Sequence, residues 1–142
     1  MAVKIYVSLP VNDLEVTKRF FLELGYSFLT KFTDHNTACM VVGDDIRVLF
    51  VTKRFFSTFV KTEVCDTTTH NETLTALRLE NREAVDAMIA KALAAGATEP
   101  QSVQDFGFMY ERSFRDLDGH IWGYFWIDEE AATQGSTREG VL

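Results

Sequence analysis

The chain has too little of several things to belong to some large classes of protein. It carries two cysteines, Cys39 and Cys65, in 142 residues. Two cannot build a disulfide framework, and their spacing offers no metal-binding pair, so a reduced chain with one thiol in an apolar strand is expected. No apolar run approaches the roughly 20 residues of a membrane span. The N-terminus, Met-Ala-Val-Lys-Ile-Tyr, enters a strand pattern at once, without the apolar core of a signal peptide. A cytoplasmic protein is therefore expected. Basic residues are also scarce: 14 Lys and Arg stand against 21 Asp and Glu, a net charge of −7. Such a chain repels phosphate backbones and anionic bilayers, so neither nucleic acid nor membrane is an expected partner, whereas a cationic small molecule is tolerated.

What is present is a core. Hydrophobic residues make up 46% of the chain, twelve of them Phe, which excludes a disordered or low-complexity chain. The length suits one compact unit, or two small halves sharing a sheet. In residues 3 to 11, Ile5, Val7, Leu9 and Val11 alternate with Lys4, Tyr6, Ser8 and Pro10, the pattern of a half-buried strand. Asn12-Asp13 offers a cap for a helix over Leu14 to Leu24, closed by Gly25. Three strand-like runs follow, Tyr26 to Thr33, Thr37 to Val42 and Ile46 to Thr52, separated by the turns Asp34-His35-Asn36 and Gly43-Asp44-Asp45. The first half thus reads βαβββ.

Residues 53 to 72 break the pattern and read as a linker with a short helical turn or lid, in which Phe55, Phe56 and Phe59 cover a cleft or a dimer contact. The order of elements then repeats. Thr73 to Leu79 alternates as a strand, Asn81 caps a helix that Gly96 closes, and strands follow near Thr98 to Gln104, Phe108 to Arg115 and Ile121 to Ile127. Between the last two, Asp116-Leu-Asp-Gly119 has turn chemistry, with Asp side chains to cap amides and Gly to supply positive φ. The expected fold is α+β: two βαβββ modules, at about 3–52 and 73–128, in one domain over residues 1–128 whose curled mixed sheet encloses a cleft. Residues 129–142 read as a tail or an arm onto a partner subunit.

Leu9-Pro-Val-Asn-Asp-Leu14 leading into Phe20-Phe21 and Leu24-Gly25, then Ala95-Gly96, then Asp116-Leu-Asp-Gly-His120, resembles the vicinal oxygen chelate superfamily: glyoxalase I, bleomycin and fosfomycin resistance proteins, and extradiol dioxygenases. The resemblance covers residues 3 to 128. It implies a homodimer and, in the enzymes, a divalent metal held by His, Gln or Glu at four strand positions. Carried over one by one, those positions fall at Tyr6, at or near Phe50, near Leu74 and at Gly123. None supplies a ligand, and a catalytic metal needs about three good donors. Arg47, Glu72 and Tyr124, the polar neighbours of the last three, are expected to face away. His35, His70 and His120 read as solvated residues of turns and linker.

No metal and no cofactor are therefore expected. A small organic ligand is, in an aromatic-lined cleft built from Tyr6, Ser8, Phe50, Leu74, Gly123 and Phe125. On the seventh strand, parity with Gly123 places Met109, Glu111 and Ser113 inward and Tyr110, Arg112 and Phe114 behind, an assignment that a bulge before Asp116 would reverse. Glu111, Arg112 and Ser113 are all candidates, Arg112 as an anchor for a carboxylate or phosphate. The alternative is a glyoxalase-like or lyase-like enzyme acting on a small carbonyl or a glutathione adduct through Tyr6, Glu111 or Arg112.

Overall fold

The computed structural model describes residues 3–131. From residue 132 onward, the tail expected over 129–142 lies outside the described residues. The described residues form two compact units, 3–70 and 71–131.

In the first unit, strand β1 (Ile5–Val11) leads into helix α1 (Leu14–Glu23), followed by β2 (Ser27–Phe28), β3 (Thr37–Gly43), β4 (Ile46–Thr52) and the short helix α2 (Lys53–Phe56). The sheet order is β1-β4-β3-β2, with β1 parallel to β4 and the other pairs antiparallel. Helix α1 starts where Asp13 Oδ1 accepts from the amides of Glu15 (3.0 Å) and Val16 (3.3 Å). It is followed by Gly25 at φ 103°. Its apolar stripe, Leu14, Phe20 and Phe21, is buried, and Phe21 stacks on Phe50 with centroids 4.8 Å apart. Leu9, Val11, Met40 and Val48 complete this core.

The expected strand Tyr26 to Thr33 is cut to two residues, Ser27 and Phe28, which pair with Val41 and Met40. A 3-10 turn at Thr30–Phe32 follows. There the Thr33 hydroxyl donates to Leu29 O at 2.7 Å and accepts from Cys39 N at 3.1 Å, a local alternative to ladder bonds. In the linker a helical turn does form, with Thr52 Oγ1 accepting from Phe55 N at 3.3 Å and Phe55 packing edge-on against Phe59.

The second unit repeats the order with β5 (Leu74–Arg78), α3 (Arg82–Ala94), β6 (Gln104–Asp105), β7 (Met109–Arg115) and β8 (Ile121–Ile127), arranged β5-β8-β7-β6. Asn81 Oδ1 caps α3 through Ala84 N at 2.7 Å. The strand expected over Thr98 to Gln104 shrinks to Gln104–Asp105 plus an isolated bridge from Thr98 to Arg115. Pro100, which has no amide to donate, lies between the two. Phe114, Trp122 and Tyr124 are fully buried on one face of the sheet.

That same face carries two ion-pair networks. Arg82 forks onto Asp105 at 2.8 and 2.9 Å, its guanidinium 4.9 Å from the Tyr110 ring and 5.3 Å from Trp126. The Arg82 hydrogen bonds, joined by the Gly107 amide, hold the Asp105 carboxyl down at about 2. Arg112 is bound at 2.9 Å through Nε and a terminal nitrogen to Glu99, and at 2.9 Å to Asp86 Oδ1.

The turn between β7 and β8 is organised by one carboxylate. Asp116 Oδ1 accepts from the amides of Asp118 (2.9 Å) and His120 (3.0 Å), and Oδ2 accepts from Trp122 Nε1 at 3.0 Å. Burial pushes the Asp116 carboxyl up, against the opposing pull of His120, Trp122 and the two amides. Among the described residues no helix is long and apolar enough to cross a membrane.

Candidate functional site

In the second unit, strand register decides which side chains share a face. Leu74 pairs with Ile121, Ala76 with Gly123 and Arg78 with Phe125. Glu111 pairs with Phe125 and Ser113 with Gly123. Since partners in register point to the same side, Leu74, Glu111, Ser113, Gly123 and Phe125 share the face turned away from Trp122 and Tyr124. No bulge interrupts β7, so Glu111 and Ser113 are on the expected side.

This face holds a cavity of about 330 Å³ lined by Glu72, Leu74, Gln101, Glu111, Ser113 and Gly123, among others. Gly123 provides its floor. A Cβ there would stand 3.6 Å from Glu111 Oε2 and 3.9 Å from Ala76 Cβ, so the Glu111 carboxylate leans over the space that residue 123 leaves free. The lining contains no Lys, Arg or His. Arg78 is held by Glu129, Arg82 by Asp105, and Arg112 by Glu99 and Asp86. Among the described residues, the Glu111 side chain has no ion pair or hydrogen bond, and its carboxylate is half-buried without a counter-charge. The lining is polar and aliphatic rather than aromatic, and Phe125 is its nearest ring by register.

Three expectations about this unit are corrected. Arg112 faces the helix side and is consumed by two acids, with its side chain only 19% exposed, so it cannot anchor a ligand in this cavity. Glu72, expected to face away, lines the cavity from the segment just before β5, together with Asn71 and Thr73. His120, expected in solvent, is buried, with Nδ1 3.0 Å from Glu72 Oε1. The turn that carries His120 is itself buried, at Asp116 and Asp118 as well, so its polar composition does not signal exposure.

In the first unit the parity of β4 overturns another expectation. The parallel register sets Leu9 against Phe50 and Ser8 against Leu49. Leu9 lies on the helix side, so Phe50 does too, stacked on Phe21 and completely buried. Leu49 takes the place expected for Phe50, beside Cys39 in the β3 register. By the same parity Arg47 is on the Tyr6 side, but its terminal nitrogen donates to the carbonyls of Gly43, Asp44 (3.2 Å) and Ile46 (3.1 Å) at the turn. Tyr6 is 53% exposed and lines a second cavity of about 500 Å³ with Lys31, Phe32, Thr37, Cys39 and Leu49. Ser8 is exposed on the same strand face, outside that lining.

No family model matches the chain, and no curated protein matches it in sequence. Solved structures do match. Hypothetical protein SA1046 from S. aureus superposes with a TM-score of 0.75 at 24% identity, over 89% of this chain and 95% of that one. A glyoxalase/bleomycin resistance protein/dioxygenase family enzyme from Burkholderia phytofirmans PsJN gives 0.73 at 16% identity, over 89% and 99%. The chain has the glyoxalase/bleomycin-resistance fold. The bleomycin resistance determinant encoded on the transposon Tn5 shares it, with a TM-score of 0.63 at 16% identity over 89% of this chain and 99% of that one.

Given the glyoxalase/bleomycin-resistance fold, the metal expected in its enzymes can be tested against the residues present. The strand positions concerned carry Tyr6 and Leu49 in the first unit and Leu74 and Gly123 in the second. Among the described residues no group of three or more His, Cys, Asp or Glu is placed to hold a metal ion. This donor set does not fit a divalent metal.

Proposed function

We propose that the protein binds a small organic cation in the cavity over Gly123, without a divalent metal, and that binding rather than turnover is its activity. The observation that carries this reading is the Glu111 carboxylate, poised over a glycine floor with no counter-charge. A half-buried carboxylate that lacks a partner is completed by a ligand with N–H donors and positive charge. Ser113 and Gln101 add neutral hydrogen-bonding groups to the same lining, and the net charge of −7 favours the approach of a cation. The reading includes a homodimer in the cytoplasm. Support for association comes from β1, an edge strand whose first residue, Ile5, is 52% exposed and is preceded by Val3 at 83%.

Benzamidine is a suitable probe because its planar cation can pair with a carboxylate while its ring rests on Leu74 and Ile121. Calorimetric titration of metal-free protein should give saturable binding, with no binding of the neutral isostere benzamide. Glu111→Gln keeps the shape and removes the charge, and should weaken benzamidine by about 10-fold, the worth of one charge-assisted hydrogen bond. Equal affinity in wild type and Glu111→Gln would count against the assignment.

A further inference from the structure

We infer that the first unit carries a site for a small phosphate monoester where the turn before β3 meets helix α2, with Arg54, His35 and Asn36 receiving the phosphate and Phe55 the organic group. The inference stands on residues of the first unit alone and does not rest on the function proposed above.

Residues 52–61 are an electrostatic exception. They include Lys53, Arg54 and Lys61 and no acid, in a chain of net charge −7, so the field of this segment favours an anion that the chain's overall charge disfavours. The segment is tied to the turn. Thr52 N donates to Asn36 O at 2.9 Å, and Thr52 Oγ1 accepts from Phe55 N at 3.3 Å. Asp34 fixes the turn itself, its Oδ1 accepting from Asn36 N at 2.8 Å and Thr37 N at 3.0 Å. Between turn and helix lies a cavity of about 370 Å³ lined by His35, Asn36, Arg54, Phe55 and Thr58. None of these five residues lines the cavity beside Tyr6.

The lining offers a guanidinium, an imidazole and an amide, and no carboxylate. Arg78, Arg82 and Arg112 are each held by an acid, whereas the Arg54 guanidinium has no acidic partner among the described residues. Asn36 Nδ2, a donor only, lies 3.2 Å from His35 Nε2, which assigns the ring proton to Nδ1. A ligand is therefore offered the Arg54 fork, the His35 Nδ1–H and the second amide hydrogen of Asn36. Thr58 adds no donor, because its hydroxyl donates to Phe55 O at 2.6 Å. Three donor groups from two elements suit the three terminal oxygens of a phosphate monoester better than the two of a carboxylate, and the guanidinium pairs with phosphate through two parallel bonds. The half-buried Phe55 ring, packed edge-on against Phe59 with centroids 4.9 Å apart, supplies an apolar wall. The volume is that of a small-molecule pocket, so the phosphate carries an organic group.

Phenyl phosphate is the probe, followed by amide chemical shifts of the full-length chain at constant ionic strength, with inorganic phosphate and benzoate for comparison. Saturable shifts are expected at His35, Asn36, Phe55 and Thr58. Inorganic phosphate should move the same amides with weaker affinity, and benzoate should bind them about 10-fold more weakly than phenyl phosphate. Arg54→Gln should weaken phenyl phosphate by about 10-fold. Arg19→Gln removes the same charge from helix α1 and should leave the affinity unchanged. Both arginines are exposed, so the fold is expected to survive, which unchanged amide shifts away from the cavity would verify. The inference is overturned if phenyl phosphate gives no saturable shifts, if they cluster elsewhere, if Arg54→Gln binds no more weakly than Arg19→Gln, or if inorganic phosphate or benzoate binds as tightly as phenyl phosphate.

Discussion

Replacing Phe50 by alanine is expected to lower the stability of the first unit by about 3–5 kcal/mol, the usual cost of removing a fully buried ring. Leu49→Ala, one residue away, should cost only about 1 kcal/mol, because that side chain is half-buried on the opposite face. The contrast follows from register. Phe50 stands across from Leu9 and stacks on Phe21 at 4.8 Å, so its loss opens a cavity beneath α1. Urea unfolding followed by far-UV circular dichroism is the right measurement, because both tryptophans, Trp122 and Trp126, belong to the second unit and would not report on this core. Equal costs at 49 and 50 would contradict the assignment of faces.

A comparable loss is expected for Asp116→Ala in the second unit. Its carboxylate satisfies the amides of Asp118 and His120 and the indole of Trp122, all in buried surroundings. Each of the three donors left unsatisfied costs about 1–3 kcal/mol; offset by the cost of burying the carboxyl, which alanine removes, the net loss should be about 3–5 kcal/mol. Asp116→Asn should fall between alanine and wild type. Its oxygen can still serve the two amides, but its NH₂ then faces the Trp122 N–H, donor against donor. Here tryptophan fluorescence reports directly on the affected unit. If both variants unfolded at the wild-type urea concentration, the carboxylate would not organise the turn as described.

The sequence was most legible where local chemistry and hydrophobic period agree. Asp13 and Asn81 cap the two long helices, Gly25 and Gly96 follow them in the left-handed region, and the alternation of β7 and β8 set the faces of Glu111, Ser113 and Gly123 correctly. It was least legible where a strand is apolar on both faces. In Val48-Leu-Phe-Val51 no polar residue marks the parity, and only pairing with β1 shows that Phe50 faces the helix. Arg112 carried a charge suited to a ligand, but its partners Asp86 and Glu99 are distant in sequence, so composition could suggest an ion pair without locating it. Glu72 and His120 come together through the parallel pairing of β5 with β8, which no local pattern encodes.

Native mass spectrometry of protein purified without chelator and then dialysed distinguishes binding of an organic cation without metal from metal-dependent action by this fold. The expected spectrum has a dimer mass with no stoichiometric divalent metal, and a benzamidine adduct that forms with wild type and is lost in Glu111→Gln. A divalent metal retained at one equivalent per chain, with no adduct unless it is present, would contradict it.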